Sequence, residues 1–327
     1  MTEPRVLAKM DPATGELRPR IVSLIASATE IACALGLRDY LVGRSHECDY
    51  PPDVMTLPQL SSPKVDPEIA GPDIDRAVRE LVRDGLSVYR IDVEALERIQ
   101  PDIVLTQDHC EVCAVSLSDV RDALCQLTNA NVEICTLHPE QLKDVRASFR
   151  AVAKIVGVTE RGEKLVAAFD ERLDEVRRRV AGRPRPRIAL IEWLAPPMVA
   201  GGWMPELAAI AGTEPVIVDS PQSFVQVTWD DIAAADPDIV VVTPCGYTVE
   251  RTLAEMEAPD VCAGLASIDA AQAGRCVVTD GNAYFNRPGP RLADSAEVLA
   301  SIAHHDAAPD WGERYASAIS WQPAAGG

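Results

Sequence analysis

One pattern is written twice along this chain of 327 residues, and it limits the fold more than any other feature. Arg20-Ile21-Val22-Ser23-Leu24-Ile25 is a short apolar run rich in branched residues, the mark of a strand buried on both faces. Arg187-Ile188-Ala189-Leu190-Ile191 has the same character, and an Arg-Pro-Arg stretch introduces each run. Each run then leads through a loop into a helical segment that stops at glycine: Thr29 to Leu35 before Gly36, and Pro205 to Ile210 shortly before Gly212. A second echo is sharper. Leu96-Glu97-Arg98-Ile99-Gln100-Pro101-Asp102-Ile103-Val104 matches Ile232-Ala233-Ala234-Ala235-Asp236-Pro237-Asp238-Ile239-Val240, a short helix meeting a Pro-Asp turn and then a buried strand. One such run could recur by chance. Two blocks in the same order imply two lobes of the same β-α plan, an α/β chain with two Rossmann-like lobes built on parallel sheets.

The rest of the chain sorts around those lobes. Residues 1–19 form a leader, 20–139 the N-terminal lobe and 185–307 the C-terminal lobe. Residues 140–184 read as one long connecting helix, with Phe149, Val152, Ile155 and Val156 on one apolar face and a polar stop at Arg177-Arg178-Arg179. Residues 308–327 read as a loose tail. The first lobe is the longer, and Ile74, Ala77, Val78, Leu81 and Val82 within residues 66–92 mark an added surface helix.

Charge and hydropathy narrow the partners. A formal net charge of −19 disfavours phosphate backbones and anionic membrane surfaces, so neither nucleic acid nor membrane insertion is expected. No run approaches the roughly 18 unbroken apolar residues of a membrane helix. The leader lacks the apolar core of about 7–15 residues found in secretory signals, which points to a cytoplasmic protein whose nine cysteines stay reduced.

In parallel sheets ligands sit beyond the carboxyl ends of the strands, so the loops after the strands carry the candidates. After the first strand, Ser27 or Thr29 can cap the following helix. Two further loops bring His46 and Cys48 to the same side of the lobe as His109, Cys110 and Cys113. Cys-x-x-Cys offers two thiolates to a soft metal and His a borderline nitrogen, so zinc or iron fits; a redox dithiol and a structural pair stay open. Cys33, Cys125, Cys135, Cys262 and Cys276 fall in apolar patterns and read as packing residues. The C-terminal lobe offers Trp193, Trp203, Tyr247, Tyr284 and Phe285, broad side chains suited to a flat ligand or to the core. Arg44, Arg287 and Arg291 stand ready for acidic or phosphate groups, or for surface ion pairs. No hydrolase elbow, phosphate loop or dinucleotide fingerprint is present.

These residues together resemble the cobalamin-binding periplasmic proteins of uptake transporters. The likeness rests on Ile21-Val22-Ser23-Leu24, Thr29-Glu30, the run from Gly43 to Asp49-Tyr50-Pro51-Pro52, the Pro-Asp strands and Phe285-Asn286-Arg287-Pro288-Gly289-Pro290-Arg291. It spans about residues 20 to 305 and implies the class III substrate-binding fold. It also implies a corrinoid or related chelate held in the cleft between two lobes, with Tyr50 and the pair Tyr284-Phe285 on the ring. Glu30 and Glu206, at equivalent points of the lobes, are implied to dock on a transporter permease. The expectation is a non-catalytic binding protein for cobalamin or a related corrinoid, a cytoplasmic offshoot of that family. The alternative is a cytoplasmic metalloprotein or enzyme with zinc, iron or an iron–sulfur centre at the Cys/His loops.

Overall fold

A computed structural model describes residues 18–67, 69–83, 88–108, 117–125, 131–217, 224–315 and 318–321. The chain divides into two compact units. The N-terminal unit runs to Ile69 and adds Asp73–Pro139 and Lys143–Ala168; the C-terminal unit comprises Phe169 onward with the short segments Ala70–Pro72 and Glu140–Leu142.

In the first half the order is β1 (Ile21–Ser23), α1 (Ala26–Ala34), β2 (Leu41–Arg44), β3 (Ser61–Pro63), α2 (Gly71–Arg83), β4 (Tyr89–Ile91), α3 (Val93–Ile99), β5 (Ile103–Gln107), α4 (Leu117–Cys125) and β6 (Glu133–Leu137). Then come α5 (Leu142–Ile155) and α6 (Thr159–Val180). The second half holds β7 (Arg187–Leu194), β8 (Pro197–Ala200), α7 (Met204–Ile210), β9 (Glu214–Pro215), β10 (Phe224–Gln226), α8 (Trp229–Ala234) and β11 (Ile239–Val242). It closes with α9 (Val249–Met256), α10 (Pro259–Ala266), α11 (Asp269–Gln272), β12 (Cys276–Val278), α12 (Leu292–Ala303), α13 (Pro309–Arg314) and β13 (Ile319–Trp321).

The N-terminal sheet is β2-β1-β5-β6, every pair parallel. The C-terminal sheet contains the same core, β9-β7-β11-β12, also parallel. Around that core it is mixed rather than all-parallel, because β8, β10 and β13 join antiparallel. Strand β7 is the cause: it runs on for eight residues to Leu194 and folds back as β8. Strands of consecutive branched residues are buried on both faces, with Val22, Leu24, Leu96 and Val104 in one core and Ile191, Ile232, Val240 and Val242 in the other.

The repeated Pro-Asp turn has the same physical job in both units. Asp102 Oδ2 accepts the Arg20 amide at 2.8 Å, and Asp238 Oδ2 accepts the Arg187 amide at 2.8 Å, so each carboxylate fixes the start of its neighbouring strand. The preceding residues, Gln100 (φ 48°) and Asp236 (φ 43°), both adopt the left-handed region that ends the helix before its proline. Gly36 (φ +74°) and Gly212 (φ +76°) stop α1 and α7 as the sequence predicts.

Two boundaries differ from the sequence reading. The 140–184 stretch is two helices, because Gly157 (φ +79°) breaks it between α5 and α6, and the division between units falls at Ala168/Phe169 inside α6. Nor is the tail from 308 loose throughout. Trp311 and Tyr315 are buried, Arg179 lies 4.2 Å over the Trp311 ring, and β13 pairs with β12. The helix expected within residues 66–92 is α2. Among the described residues no helix is long and apolar enough to cross a membrane.

Candidate functional site

In the N-terminal unit the loops after β1 and β2 meet over the carboxyl edge of the sheet. Thr29 does not cap α1: its hydroxyl donates to the Ile25 carbonyl (3.3 Å) and to Cys48 Sγ (3.0 Å), and the N-cap, Ile25, has no side-chain bond. Cys48 is 1% exposed and also lies 3.3 Å from Ser45 Oγ. Burial raises its pKa, which keeps it a thiol packed beneath the loop. His46 is aimed elsewhere. Its Nδ1 lies 2.8 Å from Ser61 Oγ, its ring sits 5.1 Å from that of Tyr89, and burial with the nearby Arg44 charge lowers its pKa to about 4. His46 is therefore a neutral imidazole at physiological pH.

His46 and Cys48 thus have separate partners, Ser61 for the imidazole and Thr29 with Ser45 for the thiol. Their proposed companions His109, Cys110 and Cys113 lie outside the described residues. Among the described residues no group of three or more His, Cys, Asp or Glu side chains could hold a metal. Of the cysteines read as packing residues, Cys135 and Cys276 are buried with pKa values pushed up to about 11 and about 12, and half-buried Cys33 is pushed to about 12. Cys262 is half-buried, while Cys125 is exposed at the end of α4, which corrects that reading.

Tyr50 stands 44% exposed on the loop after β2, and Glu30 is buried on α1. Glu206 is exposed on α7, and its Oε1 accepts the Leu142 amide (3.0 Å) at the start of α5.

The C-terminal unit places an aromatic shelf at the carboxyl ends of β7 and β11. The Trp193 and Tyr247 rings lie 5.2 Å apart at 57°. The Arg251 guanidinium sits 4.0 Å from the Tyr247 centroid, donates to its hydroxyl at 3.3 Å, and lies 3.9 Å from Glu255. Trp193 is half-exposed, whereas Tyr247 is mostly buried and its pKa is pushed up to about 12 by that burial. The loops after β11 and β12 are pinned together: Asn286 Nδ2 donates to the Thr243 and Gly281 carbonyls (3.1 and 3.0 Å). They cross so closely that a Cβ on Gly281 would stand 2.0 Å from the Pro244 carbonyl oxygen.

Two expected ring contacts belong to the core instead. Phe285 is fully buried, its positive φ of 68° turning the side chain inward, and its carbonyl accepts Trp203 Nε1 at 2.7 Å. Trp203 is buried with it. Tyr284 is half-buried, edge-on to Tyr315 at 5.7 Å with Arg291 5.9 Å from its centroid. Arg287 is buried and donates to Asn282 Oδ1 (2.8 Å). Tyr89 and Arg251 were not singled out in the sequence, where each is one residue in an ordinary strand or helix pattern. Cys245 is exposed in the turn before Tyr247 and was likewise passed over, though its Pro-Cys-Gly-Tyr turn marks a post-strand loop.

A profile of the periplasmic binding protein family matches residues 21–283. The vitamin B12-binding protein of Pectobacterium carotovorum is 23% identical over 293 residues, covering 88% of this chain and 90% of its own. Among solved structures, a periplasmic haem-binding protein from Pseudomonas aeruginosa superposes with a TM-score of 0.66 at 22% identity, over 94% of this chain and 96% of its own. The periplasmic vitamin B12-binding protein of Vibrio cholerae gives 0.62 at 22% identity, over 87% and 96%. These matches overturn the cytoplasmic placement, which rested on the first residues alone, and they do not favour the metalloenzyme alternative. With that profile running through most of both repeats, the chain belongs to the periplasmic binding protein family.

Proposed function

We propose that this protein binds a corrinoid of the cobalamin type outside the cytoplasmic membrane and delivers it to a transporter permease. The observation that carries this reading is the Trp193–Tyr247–Arg251 shelf at the strand ends, in a chain similar along most of its length to a vitamin B12-binding protein. A flat macrocycle gains most from rigid aromatic faces, which bury large area at small entropic cost. In this reading Trp193, packed on Tyr247, takes one face of the ring, and Tyr284 of the same unit supplies further apolar contact. His46, held neutral, offers an unprotonated ring nitrogen to cobalt or to an amide edge of the corrin. Glu206, exposed on α7, is the docking residue toward the permease.

The test is titration of the purified protein with cyanocobalamin and with haem, followed by calorimetry and visible spectra. A one-to-one cobalamin complex is expected, with Trp193→Ala weakening it by about tenfold or more, the equivalent of roughly 1.4 kcal/mol. Haem binding with no cobalamin binding would replace the corrinoid by a porphyrin in this reading. Binding of neither would end it.

A further inference from the structure

Arg44 is placed as few arginines are. It closes β2 beside Ser23 of β1, at the carboxyl end of the sheet, and is only 8% exposed. Its backbone is fixed on both sides: the amide donates to the Pro58 carbonyl (3.0 Å) and the carbonyl accepts from Leu60 (2.8 Å). Among the described residues the guanidinium, by contrast, makes one hydrogen bond, Nη1 to the Ser45 carbonyl at 2.9 Å. Its Nε is buried with no partner, and among the described residues no carboxylate pairs with it. Among the described residues Nη2 has no partner either, and it is not among the atoms sealed from solvent.

An arginine stays charged at any pH a protein survives, and burying that charge without a counter-ion is costly. Nη2, the group open to solvent, lies on the edge it shares with Nε, the edge a guanidinium turns to the oxygens of an anion. The Ser45 carbonyl accepts from this guanidinium, and the Arg44 charge is one of the two causes that keep His46 neutral. The location is the end of a parallel sheet where ligands of such sheets sit.

We propose that Arg44 is the seat for an anionic oxygen group of the ligand, a phosphodiester or a carboxylate. The proposal rests on the tetrapyrrole reading above and deepens it. Cobalamin carries one phosphodiester, in its nucleotide loop, and haem carries two carboxylates. Arg44 thereby reads an anionic substituent of the macrocycle.

The experiment compares wild type with Arg44→Gln by calorimetry on four probes: cyanocobalamin, cobinamide (which lacks the phosphodiester), haem and haem dimethyl ester. If the phosphodiester is the group, Arg44→Gln weakens cobalamin by about tenfold or more and leaves cobinamide within about twofold. If a carboxylate is the group, haem shows the loss and its dimethyl ester does not. Equal losses on the charged and uncharged member of both pairs, or no loss at all, overturn the proposal. Should wild type bind none of the four, the corrinoid reading falls and the seat is still judged by inorganic phosphate. A phosphate-induced rise in melting temperature that Arg44→Gln abolishes supports it; a rise shared by both proteins, or absent from both, sinks it. Where Arg44→Gln does not fold, Arg44→Lys takes its place, keeping the charge and losing the two-pronged edge.

Discussion

Among single residues His46 carries the clearest consequence of its surroundings. Its folded pKa of about 4 lies below the ordinary histidine value of 6.5, with desolvation the larger cause and Arg44 the smaller. A histidine depressed in this way binds fewer protons folded than unfolded, so the stability it contributes is intact above about pH 6.5 and drains away as pH falls toward 4. At about 1.4 kcal/mol per unit, discounted for partial exposure, the loss is on the order of 2 kcal/mol. His46→Gln should therefore unfold in urea with a flatter pH dependence between 4 and 6.5 than wild type. Parallel curves for the two proteins would mean that the imidazole is better solvated than its contacts with Ser61 and Tyr89 imply. The same residue shows where sequence reading stops. His46 and Cys48 are two apart on one loop, and spacing suggests a shared ligand; only the fold reveals that Thr29 and Ser45 claim the thiol while Ser61 claims the imidazole. Phe285 is the converse case, since nothing in the letters around it announces the positive φ that turns the ring into the core.

For whole elements the repeat in the letters becomes a repeat in hydrogen bonds. Asp102 and Asp238 each hold the first amide of a central strand, but Asp102 is buried and Asp238 exposed. Removing a buried acceptor strands its donor at about 1–3 kcal/mol, whereas water can replace an exposed one. Asp102→Ala should thus lower the denaturation midpoint clearly, and Asp238→Ala by less than about 1 kcal/mol; equal losses would show that the turn, not the carboxylate, does the holding. The parallel core was legible because both faces of β1, β5, β7 and β11 are buried and their composition says so. The additions around it were not. Strand β8 exists because β7 runs on and folds back, and β13 because Trp321 of the tail finds Cys276 across the ladder, neither of which a local pattern encodes. The break at Gly157 was visible as a glycine and was outweighed by the apolar periodicity on either side of it.

The molecule as a whole sets a field against which its site must work. With a net charge of −19 it repels anions at long range, and that repulsion is screened within about 10 Å at 0.1 M salt. Arg44 is a single cation sunk in this field, so the selectivity proposed for it arises on contact and not by steering. The two terms separate in kinetics. Cyanocobalamin is neutral overall, its phosphodiester balanced within the molecule, and its association rate should change by less than about twofold between 0.01 and 0.5 M salt. Haem carries a net negative charge from its two carboxylates and should associate several-fold faster as salt screens the repulsion. Stopped-flow mixing across that salt range measures both. A cobalamin rate that falls steeply with added salt would mean that a local positive patch guides the ligand in, and that the net charge says little about the surface it meets.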